Sequence, residues 1–195
     1  MKNVKLIIIA IACICLICGG YFLFSQNNTV SEENLTEVEK VLVKDLKRDY
    51  PKTPREVVKF YNRIVKCYYG ENLSKKELED MVDQMLYLLD EDLRAANPRD
   101  EYYRSVVEDI NEYKSENKRI VNTDVCDSND VTYIDDVKDG ASEVDKLAYV
   151  NASYFINTDG RFTNTYQQYV LRQDEDGRWK IRAFYEVEGE SGEDD

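Results

Sequence analysis

The chain has 195 residues and a net charge of −13, and it contains no histidine. The acidic balance excludes nucleic acid as an expected partner, because an acidic domain repels phosphate backbones. The lack of histidine excludes Ser-His-Asp and Cys-His catalysis, and also zinc sites built on histidine. With 43% hydrophobic and 33% charged residues, the composition is typical of a folded domain.

An apolar segment near the N-terminus predicts a membrane anchor. Residues 6–24 read LIIIAIACICLICGGYFLF, which is 19 residues without a charge. At about 1.5 Å per residue a helix of this length spans roughly 28 Å, close to the hydrocarbon core of a bilayer. Lys2 and Lys5 precede the segment and residues 25–34 contain no basic residue, which favours a cytoplasmic N-terminus. We therefore expect a single-pass plasma-membrane protein with residues 1–24 as its transmembrane anchor and its C-terminal domain outside.

Two other interpretations of the apolar segment are open. A cleaved signal peptide needs a shorter apolar run and a small-residue cleavage site, and cleavage after Gly20 or Ser25 would fit the second requirement. A bacterial lipoprotein needs a small residue before the modified cysteine, as Ala12 before Cys13 provides. A retained anchor is favoured over both, because the apolar run is long and unbroken.

Two cysteines lie beyond the anchor. Outside the cytoplasm Cys67 and Cys126 could form one disulfide. Two separate buried thiols are the favoured interpretation, because free cysteine behaves as a small apolar residue.

The rest of the chain divides into three parts. Residues 25–52 are predicted to form a polar tether and a juxtamembrane amphipathic helix, residues 53–188 an α+β domain, and residues 189–195 an acidic tail. Apolar residues recur at helical spacing from Leu35, so the amphipathic helix is expected to continue to about Tyr50.

Capping boxes mark the starts of the next two helices. Thr53 is followed three residues later by Glu56, with proline at the first helical position, and Ser74 is followed in the same way by Glu77. The helix after Ser74 is expected to continue to Asn97–Pro98, where a further helix begins.

Strand patterns dominate after residue 118. β-branched and aromatic residues alternate with polar ones, and turn residues recur at short intervals. Alternation near the C-terminus predicts that Trp179, Ile181, Ala183 and Tyr185 share one buried face. Five strands are predicted, near 119–126, 130–137, 146–156, 161–172 and 178–187.

Helices followed by long antiparallel strands that end in D-x-D-G-x-W-K-I resemble the nuclear transport factor 2-like fold. In this sequence the ending is DEDGRWKI at residues 174–181. The resemblance implies an α+β fold in which three to four helices pack on a curved antiparallel sheet and enclose a conical pocket.

The chain is also similar to an uncharacterised family of membrane-anchored extracytoplasmic proteins from Clostridia-type bacteria. This similarity covers about residues 35–187 and implies no activity, cofactor or site residue. The matching stretches are DYPKTPREVV at 49–58, YNR at 61–63 and YVLRQD at 169–174.

A cluster of aspartates after residue 123 raises the question of a calcium site. Its spacing matches no calcium-binding loop, so a solvated acidic loop is the favoured interpretation and no metal ligand is assigned. The cluster consists of Asp124, Asp127, Asp130, Asp135 and Asp136.

The chain has fifteen tyrosines. The fold resemblance implies that some of them lie in the pocket, although ordinary core and surface positions are the favoured interpretation. Tyrosine offers an apolar body and a polar tip, both of which suit a ligand site. The candidate ligand-binding residues are Tyr61, Tyr154, Tyr169 and Trp179. No catalytic residue and no cofactor is assigned.

Two hypotheses for function follow. The favoured one is a membrane-anchored extracytoplasmic binding or interaction domain for an unknown protein or small-molecule ligand. The alternative is a pocket enzyme, of isomerase or hydrolase type, that uses carboxylate and tyrosine groups. A desolvated carboxylate beside a tyrosine in the pocket would favour the enzyme.

Overall fold

The structure is a computed structural model that describes residues 35–137 and 144–189. From Glu37 onward the described residues belong to one compact unit. The helices within them are α1 (Glu37–Leu42), α2 (Pro54–Gly70), α3 (Lys75–Leu88), α4 (Glu91–Ala96) and α5 (Arg99–Ser115). The strands are β1 (Lys118–Val125), β2 (Thr132–Val137), β3 (Val144–Thr158), β4 (Arg161–Gln173) and β5 (Trp179–Val187).

This order of elements confirms the predicted α+β class, with helices packed on an open antiparallel sheet. Five helices are present in the described ranges where three to four were expected, because one predicted helix is divided in two. The predicted anchor at residues 6–24 and the tail beyond residue 189 lie outside the described residues. Within those ranges, no helix has the length and apolarity needed to cross a membrane.

Helix α1 is shorter than the amphipathic helix predicted from the sequence. It ends at Leu42 rather than near Tyr50. In the turn that follows, the Asp45 carboxylate accepts hydrogen bonds of 3.0 and 3.3 Å from backbone N–H groups two and three residues later. Such local bonds compete with helical ones, so the helix stops and the turn carries Leu46 into the core.

Both predicted capping boxes are formed. The Thr53 hydroxyl accepts a hydrogen bond from the backbone N–H of Glu56, whose side chain accepts one from the backbone N–H of Thr53. Ser74 and Glu77 make the same reciprocal pair at the start of α3. These bonds satisfy backbone donors that a helix leaves free at its N-terminus.

The helix predicted after Ser74 breaks where it meets the sheet. Helix α3 ends at Leu88, and Leu89 forms an isolated parallel bridge with Ile181 of β5. The backbone N–H of Asp90 donates to the Ile181 carbonyl at 2.9 Å, and the Asp90 carboxylate then caps α4 through the N–H of Leu93. A contact distant in sequence therefore overrides the local helical pattern.

Strand β3 is the centre of the sheet. Strand β2 pairs with its first half and β1 with its second half, so these two strands lie along the same edge. Strand β4 pairs along its other edge, and β5 pairs with β4. Alternate residues of β3 from Ala148 to Ile156 are buried, and helix α2 contacts β1, β3 and β5. The helices thus cover one face of the sheet.

The alternation predicted for β5 is correct at Ile181 and wrong beyond it. Ile181 is fully buried, but Arg182 is an extra residue in a β-bulge. Since a bulge shifts the side-chain alternation by one residue, Phe184 takes the helix-facing position that was predicted for Tyr185. Tyr185 is 46% exposed.

The two cysteines of the domain are free thiols that lie far apart; Cys67 is buried, as expected, whereas Cys126 is only half-buried. The Cys126 carbonyl accepts a hydrogen bond from Nε of Arg55 at 2.5 Å, near the start of α2. Cys67 is twelve residues further along the same helix, which corresponds to roughly 18 Å. Disulfide geometry requires a Cα separation below about 7 Å.

Candidate functional site

A cavity of about 270 Å³ lies between the helices and the covered face of the sheet. Helices α2, α3 and α5 provide one side of its wall, and strands β1, β3, β4 and β5 provide the other. The wall is dominated by phenol rings. Its tyrosines are Tyr61, Tyr68, Tyr69, Tyr102, Tyr113 and Tyr154.

Helical spacing explains how so many rings reach one cavity. On α2, lining residues recur three or four positions apart, from Tyr61 through Val65 to Tyr69. On α5, Tyr102 and Tyr113 lie on one helical face because intervals of four, three and four residues connect them. The two helices therefore present aromatic stripes to the same space.

A buried hydrogen-bond cluster joins α2 to the sheet at this cavity. The Tyr154 hydroxyl donates to Oδ1 of Asn62 at 2.5 Å and is also hydrogen-bonded to the Tyr169 hydroxyl. The Tyr169 hydroxyl lies 3.1 Å from Oδ1 of Asn62 and 3.0 Å from Oε1 of Gln167. Because a phenol has one hydrogen, it donates to one of these acceptors at a time. Asn62 is fully buried, so this cluster is shielded from bulk water.

Two buried polar atoms beside the cavity have no hydrogen-bond partner among the described residues. They are Nδ2 of Asn62 and the Tyr68 hydroxyl. Buried polar groups are nearly always hydrogen-bonded, because a buried donor or acceptor without a hydrogen bond destabilises the folded state by about 1–3 kcal/mol. Neither atom is accessible from the cavity, whose own polar lining includes Ser105, Thr165 and Gln167.

Phenol rings also contact one another across the site. The Tyr61 ring lies 5.3 Å from the Tyr169 ring and 6.0 Å from the Phe184 ring, measured between centroids. Phe184 is 44% exposed and lines the cavity, so it stands at the opening. Edge-on and tilted contacts of this kind stabilise aromatic clusters.

The wall is electrically neutral apart from one carboxylate. Burial raises the pKa of Tyr61, Tyr68 and Tyr154 above its ordinary value, so these phenols stay protonated at neutral pH. Among the described residues, no lysine or arginine lines the cavity, and Asp109 is the single carboxylate that does. Asp109 is exposed on α5 at the mouth.

Three of the four predicted site residues meet here. Tyr61 and Tyr154 line the cavity, and the Tyr169 hydroxyl is hydrogen-bonded to the Tyr154 hydroxyl. Trp179 does not line this cavity. It pairs with Gln173, four residues along β4 from Tyr169, which corresponds to roughly 13 Å. Its half-buried ring packs instead on the main core, 5.8 Å from the Tyr133 ring.

The residues of the site that were not predicted from the sequence include Asn62, Asp109 and the lining tyrosines Tyr68, Tyr69, Tyr102 and Tyr113. A signal for Asn62 was available, because Val58, Asn62, Val65 and Tyr69 follow helical spacing and only Asn62 among them is an amide. A polar residue on an apolar stripe indicates a buried hydrogen bond. Asp109 offered no such signal, since exposed carboxylates are frequent on this acidic chain.

Metal binding finds no support in the described parts of the chain. No group of three potential ligands there is close enough to hold an ion. The four aspartates of the acidic cluster at 124, 127, 130 and 135 are all exposed. Asp127 lies 3.7 Å from Arg55, as a solvated surface pair would.

The buried tyrosines predict loss of stability in alkali. Burial raises the pKa of Tyr102 to about 12, and it also raises the pKa of Tyr61, Tyr68, Tyr154 and Tyr169. Above the unfolded-state pKa of about 10, the unfolded chain loses these protons while the folded chain keeps them. The stabilisation is therefore complete below about pH 10. Above that pH it declines by up to about 1.4 kcal/mol per pH unit for each tyrosine.

Urea unfolding of the full-length chain in non-ionic detergent, followed by fluorescence of its one tryptophan, measures this decline. Tyr102→Phe should make the decline shallower, whereas Tyr133→Phe should not, because Tyr133 is 57% exposed. Lys180 has the opposite effect on the pH dependence of stability. Burial lowers its pKa from 10.5 to about 8, so the free energy of unfolding should rise as the pH increases between these two values. Lys180→Met should remove only that rise. A flat profile above pH 10 would contradict burial of the phenols.

Comparison with known proteins places the chain in a family. A search of curated proteins finds no match. Residues 1–184 match the family described as domain of unknown function DUF6715. Since the match covers nearly the whole chain, the protein belongs to the DUF6715 family.

Proposed function

We propose that this protein binds a small organic ligand in the tyrosine-lined cavity, in a domain held outside the cytoplasm by an N-terminal membrane anchor. The cavity is the observation that carries the proposal. Its volume of about 270 Å³ suits a small molecule, and its wall combines apolar rings with a few polar groups. Ligand sites commonly have this composition.

The proposal includes a nuclear transport factor 2-like fold. Support comes from the order of elements, with helices first and a meander of long antiparallel strands after them. The position of the cavity, between the helices and one sheet face, agrees with the pocket that this fold implies.

The anchor at residues 6–24 is part of the same proposal. Its support is the uncharged run of 19 residues with lysines on one side only. The family match begins at residue 1 and so includes this segment. The resemblance to membrane-anchored proteins of Clostridia-type bacteria supports the same arrangement.

Binding is favoured over catalysis by the position of the carboxylates. An enzyme of the alternative kind needs a desolvated acid beside a tyrosine. Asp109, the lining carboxylate, is exposed. The buried acid Asp90 is at the sheet edge, where Arg172 lies 2.8 Å from its Oδ2. The cavity thus offers surface for recognition and no shielded general base within the described ranges.

Closing the mouth of the cavity should abolish ligand binding. Ser105 is exposed and lines the opening, so Ser105→Trp should fill it. The measurement is thermal unfolding of the full-length chain with a panel of neutral, cationic and anionic small organic compounds. A compound present at about 100 times its dissociation constant stabilises by about 2.7 kcal/mol.

Glu108→Trp is the matched control, because Glu108 is exposed on the same helix but does not line the cavity. A compound that stabilises both the original chain and the Glu108→Trp variant, and not Ser105→Trp, supports the cavity as the site. Equal stabilisation of all three chains would place binding elsewhere and contradict the proposal.

The topology is tested separately. Protease added to intact spheroplasts should remove a C-terminal tag and leave an N-terminal tag intact, because the anchor is proposed to leave the N-terminus in the cytoplasm. Permeabilised cells, the control, should lose both tags. A C-terminal tag that survives in intact spheroplasts refutes the extracytoplasmic placement.

A further inference from the structure

We propose that the ligand of the tyrosine-lined cavity is an organic cation that carries an alkylated ammonium group. This inference rests on the proposed function and specifies the chemical class of its ligand. The faces of phenol rings carry negative electrostatic potential, which attracts ammonium groups. Six tyrosines and Phe184 in one wall create the aromatic surroundings that such groups favour.

The one charge in the wall has the sign that a cation requires. Asp109 lies on the same helical face as Tyr102 and Tyr113, and Tyr113 packs 4.3 Å from Tyr69 between ring centroids. Burial is the largest cause that raises the pKa of these three phenols, and the Asp109 carboxylate is the next. The negative charge is therefore close to all three rings. A cation entering the mouth would meet it first.

An anion is a poorer fit to this lining than a cation. It would lie close to a carboxylate, and no lysine or arginine among the described residues lines the cavity to balance its charge. A neutral ligand would gain apolar contact but nothing from Asp109. The net charge of −13 adds long-range attraction for cations.

One amine of the chain, that of Lys180, lies against phenol rings elsewhere in the domain. Nζ of Lys180 lies 4.3 Å from the centroid of the Tyr50 ring and 4.1 Å from that of Tyr87. It also donates to the Tyr87 carbonyl at 2.7 Å. Lys180 is only 9% exposed, and burial lowers its pKa to about 8, so the two rings and the carbonyl offset only part of the cost of burying its charge.

Lys118 limits where the cation can sit. It lines a second cavity of about 170 Å³ that shares Tyr68, Tyr69 and Tyr113 with the first, and its Nζ lies 4.6 Å from the Tyr113 centroid. A ligand cation would be repelled from that side. Its favoured position is therefore toward Asp109 and Tyr102.

The test compares choline, a quaternary ammonium compound, with its neutral isostere, in which a tert-butyl group replaces the trimethylammonium group. The two compounds have nearly the same shape, so their difference in affinity isolates the charge. Isothermal titration calorimetry on the full-length chain in non-ionic detergent should show choline binding tighter by on the order of 10-fold. Asp109→Asn should weaken choline binding by about 5-fold or more and leave the isostere unchanged.

Glu108→Gln is the matched control, since it removes the same charge from the neighbouring position outside the lining. It should change choline affinity by less than about 2-fold, because exposed charges outside the site are screened by solvent and salt. Equal affinity for the two compounds, or equal weakening by the two variants, overturns the cation inference while leaving a small-molecule site in place. Binding of neither compound also overturns it, and the compound panel with Ser105→Trp then decides the proposed function independently.

Discussion

Burial of the Asn62 amide with two phenol hydroxyls is the constraint on which the rest of this domain depends. Asn62 belongs to α2, whereas Tyr154 and Tyr169 belong to adjacent strands, so their hydrogen bonds tie the main helix to the sheet. In a site shielded from water such bonds are strong, and leaving one partner unmet is costly. The cluster therefore fixes where α2 lies above β3 and β4. The cavity lies beside this cluster, and Tyr61 of α2 and Tyr154 of β3 contribute to its wall.

The same constraint determines the electrical character of the site. Phenols buried at this depth keep their protons, so the wall presents rings and hydroxyls without charge. Asp109 is on the exposed side of α5. The proposed recognition of a small ligand rests on this neutral aromatic interior with one carboxylate at its mouth.

The sequence predicted those features of the fold that depend on neighbouring residues. The capping boxes at Thr53 and Ser74 involve residues three apart, and the strands follow from simple alternation. The break at Leu89 and the bulge at Arg182 could not be predicted in this way, because both depend on residues distant in sequence. Leu89 forms a bridge with Ile181 of β5, and the bulge arises where β5 pairs with β4. For the site, residue type was enough to select Tyr61, Tyr154 and Tyr169. Residue type did not show that Trp179 is distant from these three residues. Only the strand register shows that Trp179 pairs with Gln173, at the far end of β4.

The most direct test of this account is a double-mutant cycle between Asn62→Ala and Tyr154→Phe, read from the free energy of unfolding of the full-length chain. If the buried hydrogen bond joins α2 to the sheet, the two changes should be non-additive, with a coupling of about 1 kcal/mol or more. Tyr133→Phe in place of Tyr154→Phe should be additive with Asn62→Ala to within about 0.5 kcal/mol. Additivity in the Asn62–Tyr154 cycle would contradict the claim that this cluster holds the helix, the sheet and the cavity between them in place.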